Sequence, residues 1–376
     1  MANVLTSGLA YNPYFYPNEA LRILYKRLGM AFYVKRDLAA GKGSGTGDTV
    51  QVKRASTFSA ANMPIAEASF ADVQPQYDNL LISSWMGQGF KLTDKERTLS
   101  PAQFVSDHIA PVANSIADQI DQNLAGLALE CPWQVLADAT NPYKDFPNGR
   151  KVLLDNKNPV INAAEYSYQT DSVLQARYET DATFAQAQSD AESGELQRSG
   201  QLGSKWGFRI FPNQNAVTKP ADSSTGGATV TGVNAKDAAV LNVATLTGTL
   251  KRGTTFTIAG FSQAYAVTAD AVGGTVISIS PKLQVATAGA EAITYDRTAR
   301  TSVGLMFHRE AFALVMQPLE DAGPGIISST VVDEVTGLSL RFRIWGSGGL
   351  GATIWALDAL WGYKTLNPNL AVKVVI

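Results

Sequence analysis

Cysteine, histidine and charge are all scarce in this chain of 376 residues. Cys131 is its one cysteine, which excludes an intrachain disulfide and a thiolate zinc cluster. Its two histidines, His108 and His308, lie far apart, each between an apolar and a charged neighbour. That spacing supports neither a Ser-His-Asp nor a Cys-His arrangement, and both read as packed or surface side chains. Charged residues make up 17% of the chain, against ~25% in ordinary soluble domains. The 31 Lys plus Arg and 33 Asp plus Glu leave a net charge of -2. Such a balance excludes nucleic-acid binding by bulk charge, and also disorder by self-repulsion. No window approaches ~18 uninterrupted apolar residues, so no transmembrane helix is expected. The start, Met1 to Thr6, lacks a basic segment followed by an apolar one, which predicts folding in the cytoplasm. A weakly charged chain with no membrane segment predicts a surface that becomes covered by something else.

What is present reads as two or three structural units. Residues to about Arg36 begin with an aromatic arm that carries Tyr11, Tyr14, Phe15 and Tyr16. Pro13 and Pro17 disfavour helix there, whereas Leu21, Leu24, Leu28 and Phe32 recur at helical spacing. The arm is too thin to bury its own aromatics, so it wraps either its own domain or a neighbouring subunit. Gly41, Gly43, Gly45 and Gly47 then make a hinge in AGKGSGTGD. It is not a phosphate loop: Lys42 is followed by Gly43, and the position of the leading Walker glycine holds Arg36. Val50 and Val52 mark a short strand, and Tyr77 to Leu92 a longer returning one, together a long β-hairpin that needs partners for its edges.

Ser100, Pro101 and Gln103 form a helix start with a capping box. Val105, Ile109, Val112, Ile116, Ile120, Leu124 and Leu127 continue it as one apolar stripe, giving a helix on the order of 40 Å long, kinked at Pro111. Asp107, Asp118, Gln119, Asp121 and Gln122 are assigned to its outer face. Val173, Leu174, Tyr178 and Phe184 suggest one or two helices, and Trp206 to Phe211 a strand. Composition shifts at about Lys219, and up to about Thr298 the chain is rich in Thr, Ala, Val and Gly. This reads as a small all-β module in which Gly273-Gly274 is placed to make a hairpin turn. Ser302 to Glu320 reads as strand then helix. Leu340, Phe342 and Ile344 alternate with Arg341 and Arg343 in a strand with one basic face, and Leu370 to Val375 form a terminal strand. Segments before 215 and after 300 must therefore fold together.

Three runs carry a resemblance: SGELQRSGQLGSKWGFRIFP (193–212), LMFHREAFALVMQPLE (305–320), and the closing RFRIW with WALDALWGYKTLNPNLAVKV (341–345 and 355–374). The ANVLT start and the long helix agree with them. In this order, across nearly the whole chain, they resemble the major capsid proteins of tailed bacteriophages. The branch resembled is the one whose Hong Kong 97 capsid fold carries an inserted β-domain.

The resemblance implies an α+β fold with residues 1–45 as N-arm and 46–91 as the extended hairpin, or E-loop. It implies 92–134 and 326–376 as the peripheral domain with its spine helix, 135–218 and 299–325 as the axial domain, and 219–298 as the inserted β-domain. It further implies self-assembly as pentamers and hexamers into an icosahedral head around double-stranded DNA, bound without sequence preference. Expected partners are copies of the chain itself, a portal, a decoration protein and, since no prodomain is seen, a separate scaffolding protein. The place of action is the virion, assembled in the host cytoplasm, with no membrane contact. No catalytic, cofactor or metal site is expected, and no motif supports covalent crosslinking. Candidate contacts between subunits are Tyr14, Phe15, Tyr16, Phe58, Phe70, Trp85 and Phe90, with the hinge at Gly41, Gly43, Gly45 and Gly47. Arg341 and Arg343 are candidates to face DNA or a carboxylate of the next subunit. The alternative is another phage structural protein such as a tail-tube subunit, which would not need the long helix. An enzyme is disfavoured because no two carboxylates form a distinctive pattern.

Overall fold

A computed structural model describes residues 15–36, 47–54, 76–93, 108–159, 161–162, 164–185, 200, 202–323, 325–333, 337–347 and 351–376. In chain order the elements begin with α1 (Phe15–Arg27), β1 (Thr49–Arg54), β2 (Gln76–Leu81), β3 (Ser84–Thr93) and α2 (Ala110–Gly126). Next come β4 (Gln134–Leu136), α3 (Asp145–Asp155), β5 (Tyr166–Thr170), α4 (Ser172–Thr180), α5 (Ala182–Ala185), β6 (Ser204–Lys205) and β7 (Phe208–Pro212). Six strands follow: β8 (Thr225–Gly226), β9 (Val240–Leu250), β10 (Thr255–Ile258), β11 (Ala264–Val267), β12 (Ala271–Ser280) and β13 (Ile293–Asp296). The chain ends with β14 (Val303–His308), β15 (Phe312–Gln317), β16 (Ile327–Asp333), β17 (Leu338–Ser347), β18 (Ala352–Thr365) and β19 (Ala371–Val375). These divide into two units, one of Met1–Ile23, Arg36–Ile116 and Leu314–Lys364, the other of Leu24–Lys35, Ala117–Ala313 and Thr365–Ile376.

The first unit is built on a five-stranded sheet in the order β15-β18-β17-β16, with β3 also paired to β18. The alternation of apolar and polar residues in β17 sends Leu340 and Phe342 to a buried face with Leu357 and Ala359 of β18. Trp355 lies on that face too, between Phe342 at 5.6 Å and Phe90 at 6.3 Å. Phe90 in turn stacks on His108 at 5.1 Å. A separate two-stranded hairpin pairs β1 with β2, from Thr49 opposite Leu81 to Arg54 opposite Gln76.

The second unit contains two six-stranded sheets. One runs β4-β19-β14-β5-β7-β6. Its central strands β5, β14 and β19 are buried at every residue, as expected for strands flanked and covered on both sides. The parallel pairing of β5 with β7 needs a crossover, and α4 and α5 lie in it. Asp171 starts α4 by accepting a hydrogen bond from the Leu174 amide at 2.8 Å. Phe146, Tyr168, Tyr178, Phe208, Met306 and Val372 fill the core beside this sheet. The other sheet runs β13-β10-β11-β12-β9-β8 around its own apolar cluster, which includes Leu241, Val243, Phe256, Tyr265, Ile277 and Ile293.

Several sequence expectations need correction. The returning strand is two strands: Ile82 and Ser83 break it, so the hairpin ends at Leu81 and β3 leaves to pair with β18. Phe15 and Tyr16 belong to the first turn of α1, not to an extended arm; Pro17 is tolerated there because the amides of a first turn have no acceptor within the helix. Gly273 and Gly274, at φ +62° and +88°, sit inside β12 where its register against β9 shifts. They make a bulge rather than a turn. The segment read as a helix after β14 is one 3-10 turn, Arg309–Ala311, followed by a strand, since Phe312 to Met316 are all buried.

The long helix is also revised. The described α-helix begins at Ala110, right after two π-helical residues at His108 and Ile109, and its 17 residues span about 25 Å. Pro111 lies just after those π-helical residues, where its missing amide interrupts the regular ladder. The capping residues Ser100, Pro101 and Gln103 lie outside the described residues. Asp121 is not on an outer face. It is buried and accepts hydrogen bonds from the amides of Met30 at 2.9 Å and Gly29 at 3.1 Å, holding the start of the 3-10 turn Met30–Phe32. Burial pushes its carboxyl up to about 6, against the pull of those amides.

Candidate assembly surfaces

The first unit's sheet has a second face, and charge is concentrated on it. Gly87 of β3, Asp358 of β18 and Arg341 of β17 stand side by side in one cross-strand row. Arg341 donates to Asp358 twice, from Nε at 3.1 Å and Nη2 at 2.7 Å, and its Nη1 donates to the Glu320 carbonyl at 2.7 Å. Arg343 adds an ion pair to the same carboxylate at 3.2 Å, and its guanidinium lies over the Trp345 ring at 5.6 Å. Trp85 Nε1 donates to Asp358 Oδ2 at 3.0 Å. Asp358 is 1% exposed, so this charge is tolerable only because two guanidiniums and an indole surround it.

The Gly-Gln-Gly run in β3 follows from the same packing. A Cβ on Gly87 would lie 2.6 Å from Asp358 Cβ and from the Leu357 carbonyl oxygen. No side chain fits there. The glycine lets β3 approach closely enough for the neighbouring indole to reach the carboxylate. Trp85 is consequently tethered at its nitrogen, yet 60% exposed. A large apolar ring held in one orientation at an edge strand has the character of an interface anchor.

The candidate residues of the sequence are distributed unevenly. Tyr14, Phe58, Phe70, Gly41, Gly43 and Gly45 lie outside the described residues. For Phe15 and Tyr16 only the backbone is described. Gly47, at φ +81°, comes two residues before β1, a conformation that suits glycine at the entry to the hairpin. Phe90 is turned toward Trp355 and His108 and is partly exposed. Arg341 is buried, and three of its five N–H donors are engaged within its own chain, which makes it an internal partner of Asp358. Arg343 remains partly exposed. Sequence reasoning missed Asp358, and the one signal for it was an acidic residue within the apolar run of β18. Tyr77, Leu81 and Met86, which the sequence places in the returning strand but not among the contact candidates, are exposed on β2 and β3.

Among the described residues, no group of three or more His, Cys, Asp or Glu could hold a metal ion. Burial pushes the Cys131 thiol up to about 12, so it is not a nucleophile at neutral pH. His308 faces Glu165 at 3.4 Å and accepts the Glu310 amide at 3.2 Å, which makes it a turn-capping side chain. Among the described residues, no helix is long and apolar enough to cross a membrane.

No family model and no curated protein matches the sequence. Solved structures do. The Mycobacterium phage Che8 structure aligns over 92% of this chain and 90% of its own, with 12% identity and a TM-score of 0.52. The chain has the Hong Kong 97-type capsid fold. Two further structures align less closely: the capsid of cyanophage P-SCSP1u, with 11% identity, coverage of 91% and 86% and a TM-score of 0.48, and the head of Helicobacter pylori bacteriophage KHP40, with 13% identity, coverage of 93% and 89% and a TM-score of 0.46. At 12% identity the likeness to the Che8 structure shows the fold alone. The Asp358 cluster and the tethered Trp85 are therefore properties of this chain, read from its own geometry.

Proposed function

We propose that this protein is the major capsid protein of a tailed bacteriophage, assembling as pentamers and hexamers into an icosahedral head around double-stranded DNA. The observation that carries the reading is a capsid fold that accounts for nearly the whole chain, with 92% of its length in register with a phage structure. A closed shell needs heterologous contacts that repeat around rings and tolerate small differences in angle. The tethered Trp85 and the exposed Tyr77, Leu81 and Met86 suit such contacts, each burying apolar surface worth ~25 cal/mol per Å².

In this reading residues 1–45 are the N-arm and the extended hairpin is 46–83, shortened because β3 belongs to a sheet. Residues 84–134 and 326–364 form the peripheral domain, 135–218 and 299–325 the axial domain, joined by 365–376 because β19 pairs with β14 there, and 219–298 the inserted β-domain. The glycines at 41–47 are the pivot on which the hairpin adjusts between pentamer and hexamer. Arg343 is the remaining basic candidate for packaged DNA or a neighbour's carboxylate. A scaffolding protein, a portal and a decoration protein complete the particle, which forms in the host cytoplasm. Sizing and electron microscopy of the purified protein test this: spherical megadalton particles support it, tubes point to a tail protein, and a small oligomer alone contradicts it.

A further inference from the structure

Residues 24–35 run through the second unit as a strap. Leu24, Leu28, Met30, Ala31 and Val34 are buried, and two separate pins hold the segment down. The later pin is made of backbone, rings and a partly exposed ion pair. Lys35 N donates to the Phe312 carbonyl at 3.1 Å, Lys35 Nζ meets Glu310 at 3.4 Å, and Tyr33 stacks on Phe211 at 4.3 Å. The earlier pin is one carboxyl, that of Asp121 on α2. Its Oδ1 accepts the Met30 amide at 2.9 Å and its Oδ2 the Gly29 amide at 3.1 Å, with the Ala31 amide beside them. Gly29 allows this approach, since a Cβ there would lie 2.6 Å from Oδ2.

The earlier pin has a charge problem that the later one lacks. Asp121 is 4% exposed, and the charged side chain that acts on it is Asp118, one turn earlier on α2 and of the same sign. The strap offers it backbone amides and no cation: Lys35 is turned to Glu310, Tyr33 to Phe211 and Tyr25 to the Phe32 ring at 4.8 Å. The amides favour the anion, but burial opposes it more strongly. A neutral carboxyl keeps an acceptor oxygen for an amide and needs no counter-charge. The anion is better served by water, which reaches it when the strap lifts. The closed strap therefore suits the protonated acid, and the open strap the carboxylate.

We propose that Asp121 is a pH-sensitive latch: protonated, it holds residues 29–31 on α2, and on losing its proton to solvent it lets that half of the strap open while the pin at 33–35 stays closed. In the proposed reading the strap is the base of the N-arm, yet the inference concerns a single chain and its test does not depend on whether shells form. The test is hydrogen exchange of the full chain, read by mass spectrometry from pH 5 to pH 8 with the base-catalysed intrinsic rate divided out. A carboxyl raised from 3.8 to about 6 in the closed strap makes opening at residues 29–31 about tenfold more frequent at pH 8 than at pH 5. The Lys35 amide, bonded to Phe312, should not change and serves as the internal reference. Asp121→Asn keeps the shape and one acceptor oxygen but cannot titrate, so the tenfold dependence should vanish. Gly29→Ala, which pushes a methyl against Oδ2, should raise opening at pH 5 and serves should the asparagine variant fold poorly. Exchange at 29–31 that is flat with pH in the native chain overturns the latch. So does a slope that survives Asp121→Asn or is shared equally by Lys35, or protection unchanged by Gly29→Ala.

Discussion

Two sheets of this molecule expose one face each and manage it in opposite ways. The sheet of β3, β18, β17 and β16 places a carboxylate and two guanidiniums on that face and buries them against one another. The sheet of β9 and β12 places no charge there at all. The first face is specified internally, since its charges are satisfied within the chain, and what it offers outward is the Trp85 ring. The second carries no charge on β9 or β12, and Val240, Val272 and Val276 stand exposed on it. Charge on the first face is matched within the chain, whereas the second omits it and leaves valines exposed.

The comparison breaks most readily at Asp358. Asp358→Ala strands Arg341 and Arg343 without their anion and should cost about 3–5 kcal/mol in denaturant unfolding. Loss of under about 1 kcal/mol would mean the cluster is not what holds that face. A smaller effect comes from a carboxylate held by backbone amides rather than by a cation among the described residues. The Asp121 carboxyl is raised from 3.8 to about 6 when folded, so between those values the native state binds more protons than the unfolded one. Stability should fall as pH rises from about 4 to 6, by up to about 3 kcal/mol, and then level off. Asp121→Asn should flatten that slope when urea midpoints are followed against pH. Gly87→Ala, which forces a Cβ into Asp358, should cost about 1–3 kcal/mol and loosen the Trp85 tether, seen as red-shifted, more mobile tryptophan fluorescence. Val276→Lys should change fold stability in denaturant unfolding by under about 0.5 kcal/mol, because the site is exposed. A larger loss would remove the distinction between the two faces.

The sequence made the local features of this fold legible and left the long-range ones hidden. Alternation in Leu340–Ile344 identified β17, and the Ile116–Leu124 stripe identified α2, because both signals are periodic within a few residues. Two other segments misled for physical reasons. Gly273-Gly274 has the composition of a hairpin turn, yet both residues are taken into β12, where the register against β9 shifts, so the pair is spent on a bulge. Phe312–Met316 has no alternation because both faces of β15 are buried, which makes a strand resemble a helix. At the candidate surface, Trp85 was readable as a large side chain in a strand. Its tether was not, because it depends on a partner 273 positions away. Arg341 and Arg343 looked outward-facing for the same reason: Asp358 becomes their neighbour only once β18 is in register.

Electron microscopy of the purified full-length protein, before any partner is added, tests the central claim most directly. The account predicts closed spherical shells of many copies, with five-fold and six-fold rings resolved after averaging. A uniform preparation of monomers or small rings that never closes, under conditions where the protein is folded, would contradict it.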